Sequence, residues 1–405
     1  MVMANANVMD PIQKLYDLSQ KPSRRIIGLM SGTSLDGLDV ALCEVSGSGL
    51  ATKLVVEQFA TVPFTEEFRN KIRVVFAKRE VDFQHLCLLN AHIGTQHGCM
   101  VLDCLEGWKI KPGEIDLIAS HGQTVYHAPK KQHGLTDYPN ATLQIGDGDH
   151  VAVTTGIITI SDFRQKHVAA GGEGAPLAVY GDYLLFSKKG ENRILLNMGG
   201  IANFTYLPGS QRADEVFTTD TGPGNTLIDA FARKYFEKAY DENGTLAAAG
   251  QAEPKLLESL KDQPFFKASF PKTTGPEVFN VTYVQEAQEQ SGTEAITPQN
   301  LLATLTRFSA ETIADAIHET IDKNEKYTLY ASGGGAHNPV LMQHIREQLP
   351  HLEIKKVETL GVAGDAKEAV LFAILANETV AGGNANFGVR EGVPSVRMGK
   401  VSFPC

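Results

Sequence analysis

The strongest constraint on the fold is a pattern that occurs twice: an apolar, β-branched run, a glycine turn, and a second apolar run. The first copy spans residues 26–45 and the second spans residues 194–207. Alternating apolar positions on both sides of such a turn predict a β-hairpin. No sequence repeat of solenoid period accompanies the pattern, so the two parts of the chain are similar in predicted structure rather than in sequence.

Elsewhere, short β-branched runs alternate with longer amphipathic segments, which is typical of an α/β protein rather than of a sandwich or a helical bundle. At 405 residues, the chain has the length of two domains, or of one large domain with a subdomain. The predicted strands are Ile26–Leu29, Leu38–Val45, Leu54–Thr61, Leu117–Ser120, Thr142–Ile145, Ile157–Ser161, Ile194–Asn197, Asn203–Leu207 and Leu329–Ser332. The predicted helices are 66–77, 81–105, 225–239, 253–260, 298–323 and 338–349.

Composition narrows the classes of function. Lys and Arg number 37 against 47 Asp and Glu, a formal net charge of −10, so we expect no nucleic-acid or anionic-membrane partner. The five cysteines form no C-x-x-C pair, which argues against a disulfide framework or a zinc ribbon. No run approaches the roughly 18 apolar residues of a membrane span, and residues 1–10 do not resemble a signal peptide. We therefore expect a cytoplasmic protein without a membrane anchor.

The turn of the first hairpin, Gly32–Asp39, is rich in hydroxyl groups and free backbone N–H groups. Such a turn is an anion cradle, and phosphate is its natural guest. Ser31, Thr33 and Ser34 are candidates to hydrogen-bond phosphate oxygens, and Asp36 or Asp39 to hold Mg²⁺ through water. No Gly-Lys-Ser/Thr ends the turn, so it is not a P-loop. The alternative is an ordinary hairpin with a polar turn.

Two further glycine-rich segments are candidate ligand-binding turns. Gly199 and Gly200 interrupt the second hairpin, where paired glycines permit either close approach of a ligand or simply a tight turn. Gly333–Gly335 follow a predicted strand and precede the helix 338–349, so a flat ring or a ribose could lie against bare backbone there.

The segment Asp220–Asn225 is expected to form a polar turn at the N-terminus of the helix 225–239, a position that favours anions. Asp220 is a candidate for contact with a metal or a sugar hydroxyl. The plainer interpretation of Asp220 is a capping carboxylate.

Asp162 lies where a predicted strand ends and a glycine-rich loop begins, a position from which α/β enzymes present a base. Arg164 could keep that carboxylate ionised or clamp an anionic substrate, or the two could form a plain surface pair. His121 also ends a strand and could contact substrate or satisfy a core hydrogen bond. The histidines form no H-E-x-x-H group and no serine lies in a G-x-S-x-G turn, so zinc hydrolysis and triad chemistry lose support.

Taken together, nine blocks in one order resemble the anhydro-N-acetylmuramic acid kinase family, and the resemblance runs from about Ile26 to Ala376. The blocks are Gly28–Asp39, His121–Thr124, Gln144–Gly148, Asp162–Arg164, Ala169–Pro176, Asn197–Asn203, Asp220–Asn225, Ser332–Asn338 and Asp365–Ala369. The resemblance implies the sugar kinase/actin/heat-shock ATPase fold, an α/β architecture with two lobes around a nucleotide cleft, mixed central sheets and flanking helices.

The implied activity is hydrolytic opening of 1,6-anhydro-N-acetylmuramic acid and phosphorylation of its 6-hydroxyl group, with ATP and Mg²⁺, in peptidoglycan recycling. The implied base is Asp162, and the implied metal-binding residue is Asp36. The implied nucleotide-binding residues are Gly32, Thr33, Ser34, Leu35, Asp36, Gly37, Leu38, Asp39, Gly199, Gly200, Gly333, Gly334 and Gly335. The candidates for substrate contact are His121, Arg164, Asp220 and Asn225.

The expected organisation is an N-terminal extension, 1–24, a first lobe, 25–160 with about 367–405, and a second lobe, 161–366. The resemblance also implies a homodimer. Pro276 stands where the family commonly has Arg, and Ser395–Gly399 replace a usual Thr-Gly-Ala. Two alternative functions are a kinase for another small sugar and a non-catalytic ATP-binding switch of the actin type.

Overall fold

The computed structural model describes residues 10–322, 324–382, 387 and 393–405. Its strands are β1 (Ser23–Ser31), β2 (Gly37–Ser46), β3 (Lys53–Pro63), β4 (Leu117–Ala128), β5 (Ala141–Ile145), β6 (Thr159–Ser161), β7 (Asn192–Met198), β8 (Ile201–Leu207), β9 (Phe217–Pro223), β10 (Tyr327–Ser332), β11 (Glu353–Lys356) and β12 (Lys400–Ser402).

The helices are α1 (Pro11–Gln20), α2 (Glu66–Arg73), α3 (Phe83–Trp108), α4 (Lys130–His133), α5 (Gly148–Thr155), α6 (Phe163–Ala169), α7 (Ala178–Phe186), α8 (Thr226–Phe236), α9 (Thr245–Ala248), α10 (Pro254–Lys261), α11 (Pro264–Lys267), α12 (Val281–Ser291), α13 (Pro298–Thr320), α14 (Pro339–Gln348) and α15 (Lys367–Ala381). Within the described part of the chain, no helix is long and apolar enough to cross a membrane.

The chain divides into two compact units, and the first contains the residues up to Phe186 together with Asp365–Cys405. Its mixed sheet has the order β12-β6-β4-β1-β2-β3, with β5 paired to β4. Strands β1, β4 and β6 run parallel, whereas β2, β3 and β12 are antiparallel to their neighbours. Helix α15 lies directly on β1, since a Cβ atom at Gly28 would stand only 1.9 Å from the carbonyl oxygen of Ala369. Only glycine allows this close approach of helix and strand.

The second unit, Ser187–Gly364, has a smaller mixed sheet of order β11-β10-β7-β8-β9. The β7–β8 hairpin and β9 are antiparallel, whereas β7, β10 and β11 are parallel. Apolar residues from β7, β8 and β10 pack against α13 and α14. A separate apolar cluster joins α8, α10, α12 and the first half of α13. The two units therefore confirm the predicted α/β class with mixed sheets and flanking helices.

The structure confirms both hairpins and all of the predicted strands, although β4 extends eight residues beyond the predicted end at Ser120. It adds β9, β11 and β12, and the long helix α15, which the sequence pattern did not reveal. Residues 161–186 belong to the first unit, whereas the prediction assigned them to the second lobe. The reason is that β6 pairs with β4 and β12, so the segment that follows β6 stays with the first sheet.

The described part of the N-terminal extension also belongs to the first unit. The guanidinium group of Arg24 is buried and donates hydrogen bonds to the carbonyl oxygens of Leu18, Ser19 and Lys21, and to the side chain of Asn377 on α15. These bonds tie α1 to the sheet and to α15. Residues 1–9 of the predicted extension lie outside the described residues.

Candidate active site

Three parallel strands bring the candidate residues of the first unit to one edge of the sheet. Leu29 on β1 pairs with Ser120 on β4, and Ser120 pairs with Ser161 on β6. The turn beginning at Gly32 therefore leaves the sheet at the same edge as Asp162. Neighbouring strands are about 4.8 Å apart, which puts β1 and β6 at a separation of about 10 Å. The carboxyl edge of parallel strands is where α/β proteins commonly bind ligands.

The turn of the first hairpin leaves its polar groups accessible. Thr33, Ser34 and Asp36 are exposed, and the Ser34 hydroxyl donates a hydrogen bond of 2.8 Å to Asp36. Leu35 has a left-handed backbone with φ of 57°, which is uncommon for a residue with a branched side chain. Such strain is typical of functional turns.

A group of carboxylates lies beside this turn. Asp39 accepts a hydrogen bond of 2.6 Å from Thr61, yet its pKa is raised, first by burial and then by the negative charges of Asp36 and Asp365. Mutual repulsion of this kind is relieved by a bound cation. In the described part of the chain, no group of three or more His, Cys, Asp or Glu residues is arranged to hold a metal by itself.

Asp162 stands directly after β6 and before α6 in a left-handed conformation, with φ of 58°. Its carboxylate does not cap α6, although the residue occupies the N-cap position. Instead it pairs with the ammonium group of Lys400, the first residue of β12. Lys400 was not among the predicted site residues, because its proximity to Asp162 depends on β12 pairing with β6.

Arg164 does not form the predicted pair with Asp162. Its Nε donates a hydrogen bond of 2.8 Å to Nε2 of His121, and its Nη1 donates one of 2.6 Å to the carbonyl oxygen of Gly174. Burial lowers the pKa of Arg164 to about 10, although the nearby Glu368 carboxylate opposes that shift. Arg164 is therefore a positioned cation that connects α6 to the glycine-rich loop.

His121 is buried, and its ring is fixed at both nitrogens. Nε2 accepts from Arg164, so Nδ1 carries the proton and donates to the carbonyl oxygen of Gly122 at 2.8 Å. Burial and the Arg164 charge hold the pKa of His121 well below its usual range, and the ring is neutral. These contacts make His121 a support for Arg164, which is the core hydrogen-bonding role considered for it above.

Glu368 on α15 is a further candidate site residue, to which the sequence pattern gave no role. Glu368 is an exposed residue, but desolvation of its carboxyl group by the surrounding protein raises its pKa. Arg164 attracts this carboxylate and Asp39 repels it, so the group lies within the field of both. The sequence signal was its place in the Asp365–Ala369 block, but only the packing of α15 on β1 brings it to this edge.

In the second unit, the two remaining glycine turns are packed together. A Cβ atom at Gly333 would stand 2.7 Å from Oδ1 of Asn197 and 2.8 Å from the carbonyl oxygen of Met198. Gly333 also has φ of 81°, a conformation suited to glycine. The structure therefore brings Gly333–Gly335 against the turn that contains Gly199 and Gly200.

Asn225 and its neighbours tie this arrangement to α8. The backbone N–H of Asn225 donates to the carbonyl oxygen of Gly199 at 2.8 Å, and its side-chain amide donates to that of Met198 at 3.2 Å. Gly334 lies near the same amide. Asn225 is thus a structural bridge between the two turns, and any contact with substrate stays a prediction.

Asp220 differs from its expected setting, because it belongs to β9 rather than to a turn before α8. It does not cap that helix. Its Oδ2 accepts a hydrogen bond of 2.8 Å from the backbone N–H of Thr274, in the loop that contains Pro276. Burial raises the pKa of Asp220 to about 6, and the charge of Glu277 acts in the same direction. The structure therefore places Asp220 with the 272–277 loop.

The candidate site combines glycine-rich turns at strand ends with a carboxylate at the edge of a mixed sheet and a nearby cluster of acids. These features define the class of protein: an α/β enzyme of the phosphoryl-transfer type. Known proteins agree with this class. A model of the anhydro-N-acetylmuramic acid kinase family matches residues 24–399. The chain therefore belongs to the anhydro-N-acetylmuramic acid kinase family.

Individual relatives bear the same name. An anhydro-N-acetylmuramic acid kinase of Pseudoalteromonas atlantica is 56% identical over 396 residues, which cover 97% of this chain and 99% of that protein. One from Caldanaerobacter subterraneus subsp. tengcongensis is 38% identical over 399 residues, covering 98% of this chain and 100% of that protein. The chain is thus a kinase-family enzyme, a phosphotransferase with an alcohol group as acceptor, and its family supports the use of ATP.

Likeness to solved structures is weaker. The activator of the 2-hydroxyisocaproyl-CoA dehydratase from Clostridium difficile with bound ADPNP is 11% identical, with a TM-score of 0.40, and the match covers 88% of this chain and 95% of that one. A TM-score this low supports no argument about the site.

Proposed function

We propose that this protein opens 1,6-anhydro-N-acetylmuramic acid by hydrolysis and phosphorylates the 6-hydroxyl group with ATP, giving N-acetylmuramate 6-phosphate and ADP in peptidoglycan recycling. The observation that carries the proposal is the family match over residues 24–399, together with a relative of this name that is 56% identical. The common sheet edge of the first hairpin and Asp162 supports the same conclusion.

The first hairpin is the proposed site for the phosphate groups of ATP. Phosphate oxygens need hydrogen-bond donors. Such donors are present here as the exposed hydroxyl groups of Thr33 and Ser34 and as the backbone N–H groups of Gly32–Asp39. Mg²⁺ fits here, because it is usually held by one or two carboxylates together with substrate phosphates. Asp36 is its proposed residue, with Asp39 beside it. The pKa of Asp39 is raised by burial and further by the negative charges of Asp36 and Asp365, and these charges support a cation at this place. Bound Mg²⁺ would neutralise charge on the transferred phosphoryl group.

In the second unit, Gly199, Gly200 and Gly333–Gly335 are the proposed nucleotide-binding residues. Gly200 and Gly334 are exposed, and both turns leave backbone without side chains at the surface. A flat ring or a ribose can approach such a surface closely. Close packing of Gly333 and Gly335 against Asn197, Met198 and Asn225 holds the two turns in fixed relation, which favours a preformed binding surface.

Asp162 is the proposed general base. It accepts a proton from the water that adds to the anomeric carbon, the bond from that carbon to the 6-oxygen breaks, and the freed oxygen takes the terminal phosphoryl group. Every atom is then accounted for, because water supplies the new anomeric hydroxyl group, Asp162 releases its proton to solvent, and ADP leaves. A positioned base contributes typically 10²–10⁴-fold to rate. Arg164, held by His121 and Gly174, is the proposed contact for the anionic substrate.

Asp220 and Asn225 are further proposed substrate contacts, supported more weakly. Asp220 accepts from the backbone of Thr274, so it would act together with the 272–277 loop. We further propose a cytoplasmic homodimer, on the basis of the family resemblance, and sedimentation equilibrium of the purified protein would test the dimer.

The test is ADP release with three substrates: 1,6-anhydro-N-acetylmuramic acid, N-acetylmuramic acid and N-acetylglucosamine. We expect ADP release with the anhydro sugar and formation of N-acetylmuramate 6-phosphate, seen by mass spectrometry. In ¹⁸O-labelled water, the label should appear at the anomeric oxygen. Preference for another sugar would support a kinase of different specificity, and ATP binding without sugar-dependent ADP release would support a non-catalytic switch.

The role of Asp162 has its own test. Asp162→Asn should lower turnover by at least 100-fold while ATP binding, measured by calorimetry, is retained, because the amide cannot accept the proton. The matched control is Asp137→Asn, which makes the same change at an exposed loop residue of the same unit. Turnover of Asp162→Asn close to that of the unaltered protein would refute the role as base.

A further inference from the structure

The C-terminal strand places a cation against the proposed base. Lys400 lies 238 residues after Asp162 in the chain, and its ammonium group pairs with the Asp162 carboxylate. Lys400 pairs in register with Ser161, the residue immediately before Asp162. Among the described residues, Lys400 is the side chain that donates a hydrogen bond to this carboxylate.

The backbone on both sides of the pair is held firmly. Gly399 has φ of 104°, and a Cβ atom there would stand 2.5 Å from the Ile160 side chain. The hydroxyl of Thr379 on α15 donates a hydrogen bond of 2.6 Å to the carbonyl oxygen of Met398. The strand that carries Lys400 is therefore anchored to β6 and to α15, and Lys400 arises from a fixed point.

Among the described residues, no other charged side chain pairs with Asp162. Arg164, on the helix that follows Asp162, donates to the neutral ring of His121 on β4 and to Gly174. Glu368 on α15 lies in the field of Arg164. Lys166 on α6 is exposed and Asp149 on α5 is exposed. This leaves Lys400 as the counter-ion of Asp162.

We infer that Lys400 is a positioning residue for the proposed reaction: its ammonium group holds the Asp162 carboxylate in the orientation from which it accepts a proton. The inference rests on the proposed role of Asp162 as base. A hydrogen bond between two charged groups is roughly twice as strong as one between neutral groups, so it favours one orientation of the carboxylate. Since Lys400 is 68% exposed and Asp162 26% exposed at the side chain, solvent screens the pair and the effect is modest.

The decisive experiment compares kcat and KM for the unaltered full-length protein, Lys400→Met and Lys400→Arg. Loss of the orienting contact should lower kcat about 2–5-fold, the size expected for a solvent-screened pair. Lys400→Arg, which keeps a cation at the same place, should restore most of that loss. The KM for ATP should stay within twofold, because Lys400 is not placed among the phosphate-binding residues.

The matched control is Lys166→Met, which removes an exposed positive charge from α6 without touching Asp162. It should leave kcat unchanged. A kcat of Lys400→Met equal to that of the unaltered protein would overturn the inference, and so would failure of Lys400→Arg to restore kcat.

A second measurement does not depend on turnover. A thermodynamic cycle at pH 7.5 compares the unfolding midpoint of the unaltered protein with those of Asp162→Asn, Lys400→Met and the double variant. The two changes should be non-additive if the ion pair exists in solution, and additive values would overturn the inference. Absence of ADP release by the unaltered protein would instead refute the proposed function, and the cycle would still decide whether the pair forms.

Discussion

His97 offers a test of how the first unit responds to pH. It lies in the middle of α3, is fully buried, and its ring stacks on Phe64 with the centroids 6.2 Å apart. Neither ring nitrogen has a hydrogen-bond partner among the described residues. Burial lowers the pKa of His97 to about 4. The native protein therefore holds this ring neutral, although the unfolded chain protonates it below about pH 6.5.

The sign of the effect follows from that difference. A histidine whose native pKa is lowered contributes full stability above the unfolded pKa and loses it as the pH falls toward the native pKa. With values of about 6.5 and 4, the loss between pH 7.5 and pH 5 is about 2 kcal/mol. His97→Leu, which is similar in volume and does not titrate, should abolish this part of the pH dependence. At pH 7.5 the variant should also gain about 1–3 kcal/mol, because two buried polar atoms are removed.

The assay uses the single tryptophan of the chain. Trp108 ends the same helix and packs against the core of the first unit, so its fluorescence reports unfolding of this unit. Guanidinium unfolding at pH 7.5 and pH 5 gives the difference in free energy of unfolding between the two pH values for each protein. Contributions from other buried histidines, such as His121, are the same in both proteins and cancel in the comparison. The control, His150→Leu, alters an exposed histidine of the same unit and should retain the original difference. If His97→Leu loses as much stability at pH 5 as the unaltered protein, the reasoning is refuted.

Two further predictions concern glycines. Gly28→Ala should destabilise the first unit by several kcal/mol in thermal unfolding, because the added Cβ atom would stand 1.9 Å from the carbonyl oxygen of Ala369. Gly107→Ala in α3 is the matched control, since nothing lies within 4 Å of its Cβ position, and it should be neutral or stabilising; equal losses would contradict the packing argument. Gly333→Ala should weaken ATP binding in calorimetry at least tenfold, because φ of 81° and a contact of 2.7 Å with Asn197 force the turn to shift. Unchanged affinity would exclude this turn from the nucleotide site.

Local patterns carried enough information to predict the hairpins and most strands. Short apolar runs in β1 and β2, and in β7 and β8, form largely buried strands and are visible in the sequence without any partner. The short edge strands β11 and β12 lack that signal, since β11 is mostly charged and β12 has three residues. Helix α15 is buried around most of its circumference, so it has no clear amphipathic period.

The candidate site shows the same difference between features that depend on neighbours in sequence and features that depend on the fold. Turn chemistry indicated Gly32–Asp39 and Asp162 correctly as strand-end residues, because such positions are defined by neighbours in sequence. The partners of Arg164 could not be predicted from its neighbours. Sequence proximity suggested Asp162, two residues away, whereas the fold supplied His121 from β4, 43 residues away.

The sequence by itself determined the α/β class, the positions of the glycine-rich turns at strand ends, and the family to which the chain belongs. Tertiary structure alone decided that Lys400 is the counter-ion of Asp162, that Glu368 lies in the field of Arg164, and that residues 161–186 stay with the first sheet. The physical reason is that a residue's conformation depends largely on nearby residues, while its charged partners depend on strand pairing and helix packing between segments remote in the chain.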